Sequence, residues 1–109
     1  INVSNVTEKN RAILLTGLTN KSDFSEAVIS KLINDFQNWK KVRMIGSAAI
    51  ASTYVASGKV DLYKEFNTFL WDIAAGAAIV ESAGGTAIIE NYDDSSFQVD
   101  VVLSNSKIS

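Results

Sequence analysis

Apolar positions along the chain repeat with two different periods, and the two kinds of segment alternate. Short runs in which apolar residues are continuous, or alternate with polar ones, predict five strands at residues 12–16, 42–45, 60–65, 86–89 and 99–103. Three longer segments, residues 24–39, 47–57 and 72–83, have the spacing or composition of helices. The alternation predicts an α/β fold, with a layered mixed β-sheet of about five strands and helices on both faces.

Potential capping residues place the helix ends. Ser22, Ser47 and Asp72 are positioned as N-caps, because their side chains accept hydrogen bonds from the unpaired amides of a first turn. Gly58 and the pair Gly84-Gly85 are positioned to end the second and third helices. The third helix is apolar almost throughout, so we expect it to be packed on both sides.

Composition narrows the chemistry available to the chain. Its 109 residues, 47% hydrophobic and 20% charged, are typical of one globular domain. A net charge of −2 gives no reason to expect nucleic-acid binding, and the longest apolar run is too short to span a membrane. The absence of cysteine fits a cytoplasmic protein. Without histidine, any chemistry depends on carboxylates, hydroxyls and backbone amides.

The dipeptide Gly46-Ser47 joins the second predicted strand to the second predicted helix. The amides of Ser47, Ala48 and Ala49 at this helix start point outward, and the positive end of a helix favours anions or sugar hydroxyls. Glycine at the junction lets a ligand approach the backbone closely. The alternative is an ordinary turn capped by Ser47, and a single Gly-Ser pair does not decide between the two interpretations.

Two carboxylates are placed where they can join such a site. Glu65 ends the third predicted strand, seven positions before Asp72 at the start of the third predicted helix. Strand ends and helix starts often share the sheet edge where α/β proteins bind ligands. Asp72 is either a helix cap or a ligand in a metal or phosphate site, whereas Glu65, taken alone, is typical of a surface carboxylate. Asp61 and Lys64 are interpreted as surface or locally paired residues.

A series of short motifs occurs in a fixed order over roughly the middle half of the chain. An arginine precedes a Gly-Ser-Ala-Ala helix start, followed by a glycine, an aspartate in a strand, a glutamate, a Trp-Asp helix and a Gly-Gly turn. The residues are Arg43, Gly46-Ser47-Ala48-Ala49, Gly58, Asp61, Glu65, Trp71-Asp72-Ile73-Ala74-Ala75-Gly76 and Gly84-Gly85. In this order and at these spacings they resemble the C-terminal half of the inositol monophosphatase family.

The resemblance implies a function and residue roles. Members of this family are magnesium-dependent phosphatases that hydrolyse sugar or polyol phosphate monoesters, such as inositol 1-phosphate, by attack of a metal-activated water. By similarity, Asp72 completes the Mg²⁺ site, Glu65 contacts a substrate hydroxyl, and Gly46, Ser47 and Ala48 line the substrate pocket. The resemblance also implies a homodimer. Within the family, fructose-1,6-bisphosphatase and 3′-phosphoadenosine phosphatase are alternative activities.

One family motif is absent. Most metal ligands of these enzymes belong to an N-terminal half with an Asp-Pro-x-Asp-Gly-Thr motif, which a chain without proline cannot contain. The resemblance therefore implies a single domain, residues 1–109, that works with the N-terminal half of the same polypeptide and holds no catalytic residue by itself. We expect the isolated chain to be inactive. The alternative function is a non-enzymatic α/β module for ligand binding or assembly.

Overall fold

The computed structural model describes residues 1–17 and 26–108. The strands are β1 (Ile13–Thr16), β2 (Lys41–Met44), β3 (Leu62–Phe69), β4 (Thr86–Asp93) and β5 (Gln98–Ser104). The helices are α1 (Glu26–Asn38), α2 (Ala48–Ala56) and α3 (Leu70–Ser82), and a 3-10 turn covers Lys9–Arg11. The predicted fold class, a five-stranded mixed sheet with three helices, is confirmed within this part of the chain. None of these helices has the length and apolar character needed to cross a membrane.

The sheet mixes parallel and antiparallel pairs in the order β2-β1-β3-β5-β4. Strand β1 lies at the centre of a parallel unit with β2 and β3. Strand β5 pairs with β3 and β4 in the antiparallel sense. Because the carboxyl ends of parallel strands meet at one edge, the segments that follow β1, β2 and β3 converge there.

Both faces of the sheet carry apolar side chains, since neighbouring strand residues point in opposite directions. The larger core lies between the sheet and the helices α2 and α3, and it includes Leu15, Val55, Tyr63, Ile73 and Val101. A smaller cluster on the opposite face contains Ala12, Leu14 and Trp39, which follows α1 directly. The predicted helix at residues 24–39 is therefore present as α1, whereas its proposed cap Ser22 lies outside the described residues.

The start of α3 differs from the prediction. Strand β3 runs directly into this helix, whose N-cap is Phe69, and Asp72 is the third helical residue. The prediction that Asp72 is the N-cap is therefore wrong. The Leu70 amide is instead held by the Phe97 carbonyl oxygen at 3.0 Å. Asp72 remains in the first turn, where a carboxylate interacts favourably with the positive end of the helix.

Strands β3 and β4 are longer than predicted because each continues through an irregularity. On β3, Glu65 pairs with Val101 and Thr68 pairs with Val99, so β3 has one residue more than β5 between these pairs. A similar shift separates the pairs that Glu90 and Asp93 of β4 make with β5. These are β-bulges, in which two residues of one strand face one residue of the other.

A buried polar network joins the ends of the chain to the start of β3. Asp61 is only 5% exposed, and its carboxylate accepts hydrogen bonds from the Ser4 hydroxyl and, at 2.7 Å, from the Ile13 amide. Asn105, fully buried, donates through Nδ2 to Ser4 Oγ at 2.9 Å and to the Val6 carbonyl oxygen at 2.8 Å. We call these residues the Asp61 network. The interpretation of Asp61 as a surface residue is wrong, because the terminal segments cover it.

Helices α2 and α3 approach each other closely at Gly76. A Cβ atom on Gly76 would lie 2.1 Å from Ser52 Oγ, so no larger residue fits without movement. The Ser52 hydroxyl in turn donates to the Ala48 carbonyl oxygen at 2.7 Å, within α2. The glycine of the Trp-Asp helix motif thus serves helix packing, whereas Ala74 and Ala75 are exposed.

Candidate substrate pocket

An open pocket of about 530 Å³ lies at the edge of the sheet where the parallel strands end. Its walls are the start of α2, the last part of β3 and the first turn of α3. Gly46, Ser47, Ala48, Glu65 and Asp72, the residues assigned to a site from the sequence, all line it. The structure thus brings the predicted residues together, whereas their individual roles remain predictions.

The first wall is the start of α2. Ser47 is the N-cap, as predicted, and its Oγ accepts from the Ile50 amide at 3.2 Å. The amides of Ala48 and Ala49 precede the first intrahelical hydrogen bond, so they are available to an anion or a hydroxyl. A Cβ on Gly46 would meet nothing within 4 Å, so packing does not require glycine here and its absent side chain keeps the approach open.

Glu65 forms the second wall, in a half-buried position that depends on Gly17. A Cβ on Gly17 would lie 1.8 Å from Glu65 Oε1, so this glycine leaves the space that the carboxylate occupies. Burial raises the pKa of Glu65 above its ordinary value, the neighbouring hydroxyls of Tyr63 and Thr68 oppose the rise, and the charge of Asp72 adds to it. The hydrogen bonds around Glu65 thus do not fully offset the cost of burying its ionised form.

Tyr63 lies beneath Glu65 in the core. Its ring is fully buried, and its Oη has no aligned hydrogen-bond partner in the described residues. Burial and then the adjacent charge of Glu65 raise the pKa of this phenol. The core next to the pocket residue Glu65 therefore contains a phenol whose hydrogen-bonding capacity is not fully used.

Asp72 supplies the third wall from the first turn of α3, and its side chain is exposed. In residues 1–17 and 26–108, no three acidic, histidine or cysteine side chains gather closely enough to hold a metal ion. Magnesium requires an octahedron of hard oxygen ligands, and carboxylates are suitable donors. The donor type of Asp72 fits a magnesium site, but as one contributor among several.

Sequence reasoning missed the bulged part of β3. Asn67, Thr68 and Phe69 line the pocket together with Gln98 of β5. The alternating pattern that identified the strand ends near residue 65, and a bulge leaves no periodic signal beyond it. The positive φ of 58° at Asn67 matches the known tolerance of asparagine for the left-handed region, which is the one local hint.

Aromatic side chains cluster around Phe69, which lines the pocket. The rings of Phe69 and Trp71 stack with centroids 4.9 Å apart and an interplanar angle of 5°. Phe97 lies beside Trp71, at 5.9 Å between centroids. Trp71 is 61% exposed, so the stacking covers one side of its ring.

Residues 1–105 match the model of the inositol monophosphatase family. The chain belongs to this family. Among curated proteins, the chloroplastic phosphatase IMPL1 of Arabidopsis thaliana is 35% identical over 96% of this chain and 29% of its own length. Human inositol monophosphatase 2 is 32% identical over 81% of this chain and 32% of its own length. The resemblance found in the motifs is thus confirmed.

Solved structures agree with this assignment. The inositol monophosphatase from Anabaena superposes with a TM-score of 0.84 and 27% identity, over 99% of this chain and 45% of its own length. Mycobacterium tuberculosis SuhB superposes with a TM-score of 0.81 and 31% identity, over 94% of this chain and 40% of its own length. The chain thus has the inositol monophosphatase fold, and it spans less than half the length of these relatives.

Proposed function

We propose that this chain is the substrate-binding, C-terminal domain of a magnesium-dependent phosphatase that hydrolyses a sugar or polyol phosphate monoester, such as inositol 1-phosphate. The observation that carries the proposal is one pocket, in which the start of α2 faces the carboxylates of Glu65 and Asp72. An anion-attracting helix terminus beside two oxygen-donor side chains suits a ligand that is both anionic and hydroxylated. Family membership supports phosphatase chemistry.

The proposed roles of the residues follow from their surroundings. Gly46, Ser47 and Ala48 receive the ligand at the start of α2, where amides are available and the approach is open. Glu65, half-buried and incompletely compensated, accepts a hydrogen bond from a hydroxyl of the ligand. Asp72 contributes a ligand to Mg²⁺, which when bound would activate a water and neutralise phosphate charge.

The remaining metal ligands would come from an N-terminal half of the same polypeptide. The outer faces of α2 and α3 support such a contact, since Ile50, Tyr54 and Ile79 are exposed there at 48%, 37% and 47%. Both helices are therefore apolar on the side turned away from the sheet, as expected when a second layer covers them. A homodimer and a cytoplasmic location complete the proposal, with neither nucleic acid nor membrane as partner.

The isolated chain provides the first test. With inositol 1-phosphate and MgCl₂ as substrate and metal, we expect no phosphate release above a buffer control, because one carboxylate does not organise a magnesium site for this reaction. Turnover that co-purifies with the 109-residue chain would contradict the proposed dependence on a second half.

The second test uses a longer polypeptide that contains this chain and an upstream half. Asp72→Asn removes a charge that attracts magnesium, so we expect kcat/KM to fall by about a hundredfold or more and the magnesium requirement to rise. Glu65→Gln removes only a substrate contact, so KM should rise by about tenfold with little change in kcat. Identical magnesium curves for both variants and the unaltered protein would refute this division of roles.

A non-enzymatic assembly module is the second candidate, and the names of some relatives favour it. The putative Nus factor SuhB of Neisseria meningitidis is 35% identical over 99% of this chain, and its name does not describe a phosphatase. An upstream Asp-Pro-x-Asp-Gly-Thr motif in the longer polypeptide would favour the enzyme. A longer polypeptide without it, and without turnover on inositol 1-phosphate, would favour the module.

A further inference from the structure

Asp100 of β5 does not line the pocket, yet its carboxylate connects both strands beside it. Its Oδ1 accepts from the backbone amide of Asn67 on β3 at 3.0 Å. Its Oδ2 accepts from the Asn91 side-chain Nδ2 on β4 at 2.7 Å. Asn67 and Asn91 lie in the two bulges, with φ of 58° and 57°. One carboxylate thus links two irregular positions on either side of β5.

The bulge in β3 changes which side chains share a face of the sheet. In a regular strand, residues two positions apart point the same way, so Glu65 and Thr68 would lie on opposite faces. The extra residue restores them to one face, because Glu65 is opposite Val101 and Thr68 is opposite Val99. Both therefore line the pocket, and the Thr68 hydroxyl lies beside the Glu65 carboxylate.

This arrangement requires Asn67 to adopt a backbone conformation that L-residues rarely occupy. The left-handed region is unfavourable for an ordinary residue, and less so for asparagine. A hydrogen bond to a carboxylate is stronger than one to a neutral acceptor, and the Asn67 amide makes such a bond to Asp100. The bond therefore favours the bulged over the regular register.

We propose that Asp100 is a positioning residue, which holds the β3 bulge and thereby places Glu65 and Thr68 together on the pocket wall. The inference rests on the proposed function in one respect, namely that this pocket is where a polyol binds. Asp100 itself touches no ligand in this scheme. Asn91 contributes a second contact that orients the Asp100 carboxylate, but β3 depends on the contact to Asn67.

The test is an NMR comparison of variants of the 109-residue chain. In the unaltered protein, Asn67 should give the strong intraresidue amide-to-Hα cross-peak of a positive φ, and the Thr68 methyl group should contact those of Val99. Asp100→Ala should weaken the Asn67 cross-peak and abolish the contact between the Thr68 and Val99 methyl groups. Asn91→Ala and Asp94→Ala, which removes an exposed carboxylate nearby, should retain both.

A rescue variant separates positioning from general destabilisation. Glycine adopts a positive φ without steric cost, so adding Asn67→Gly to Asp100→Ala should restore the contact between Thr68 and Val99. Restored contact supports the inference, because a fold damaged elsewhere would not recover. Persistence of both signals in Asp100→Ala, or failure of Asn67→Gly to restore the contact, would overturn it.

Titration with myo-inositol, followed at the Ser47 and Ala48 amides, tests the consequence for binding. Asp100→Ala should raise the dissociation constant by about tenfold, the factor expected when one charge-assisted hydrogen bond is lost, and Asp94→Ala should leave it unchanged. Equal dissociation constants for myo-inositol in Asp100→Ala and Asp94→Ala would contradict a positioning role for Asp100. No binding by the unaltered chain would count against the proposed polyol site, while the Asn67 and Thr68 signals would still decide the role of Asp100.

Discussion

Asp61 and Glu65 lie four residues apart on the same segment of chain, and their surroundings are opposite. Asp61 is nearly inaccessible, and both of its carboxylate oxygens accept hydrogen bonds from within the protein. Glu65 is half-buried, and burial raises its pKa more than the nearby hydroxyls lower it. The difference indicates which carboxylate stabilises the fold and which is available to a ligand.

A buried carboxylate stabilises a fold only when its acceptor sites are filled, because desolvation otherwise costs more than the contacts return. The Asp61 network meets this condition, and it joins Ser4, Ile13 and Asn105 across large sequence distances. The Glu65 site does not meet it, since Tyr63 Oη below it has no aligned partner in the described residues. In the proposed function, a ligand hydroxyl that donates to Glu65 from the open pocket would add a hydrogen bond to this carboxylate.

The largest effect that separates the two sites should come from Asp61→Ala. Loss of the carboxylate leaves partly buried donors of Ser4 and Ile13 without an acceptor, so the free energy of unfolding should fall by about 3 kcal/mol. Urea unfolding measures this loss when it is followed by tryptophan fluorescence, in which the buried Trp39 should give most of the change because Trp71 is already exposed. Asp94→Ala is the surface control and should stay within about 0.5 kcal/mol. Equal losses of unfolding free energy in Asp61→Ala and Asp94→Ala would mean that the Asp61 network stabilises the fold no more than a surface carboxylate does.

Glu65→Gln should change how stability depends on pH. The folded state raises the pKa of Glu65 relative to the unfolded chain, so folding favours its protonated form and stability falls as pH rises from the ordinary value through the raised one. Glutamine removes this dependence, so the variant should be the more stable protein above that window and show a flatter pH profile within it. Unfolding curves at matched pH values test this. A profile unchanged by the substitution would contradict the raised pKa of Glu65.

Tyr63→Phe should have the smallest effect. Because Oη lacks an aligned partner, its removal costs no hydrogen bond and relieves a desolvated polar atom, so the free energy of unfolding should change by less than about 0.5 kcal/mol. The ring, which is fully buried, is retained. The same urea experiment measures the change in the free energy of unfolding of Tyr63→Phe. A loss of about 1 kcal/mol or more would indicate that the phenol donates to Glu65 and that the site is better satisfied than its geometry suggests.

Local patterns predicted the fold well where neighbours in sequence decide structure. The start of α2 is an example, because Ser47 caps the amide of Ile50 only three residues away. The end of α3 at Gly84 is another, since a glycine with a φ of 95° is a local requirement. The convergence of Gly46, Glu65 and Asp72 followed from the rule that parallel strands end at one edge.

The sequence predictions were wrong where residues far apart in the chain determine the local structure. Asp61 was interpreted as a surface residue because its partner Ser4 is 57 positions away, and no local sequence pattern predicts that contact. Asp72 looked like a cap because nothing in the sequence indicates that β3 passes directly into α3. The bulge at Asn67 was missed for the same reason, since the acceptor that holds it, Asp100, lies 33 positions further on.

The contact between Gly76 and Ser52 has a consequence for how this pocket can evolve or be engineered. Ser52 is tied to Ala48 on one pocket wall, and Gly76 belongs to the helix that carries Asp72 on another. With no spare space between them, a substitution that tilts either helix must displace the other. Changes of ligand preference are therefore easier to obtain from residues that project into the open pocket, such as Gln98, than from a rearrangement of the helices.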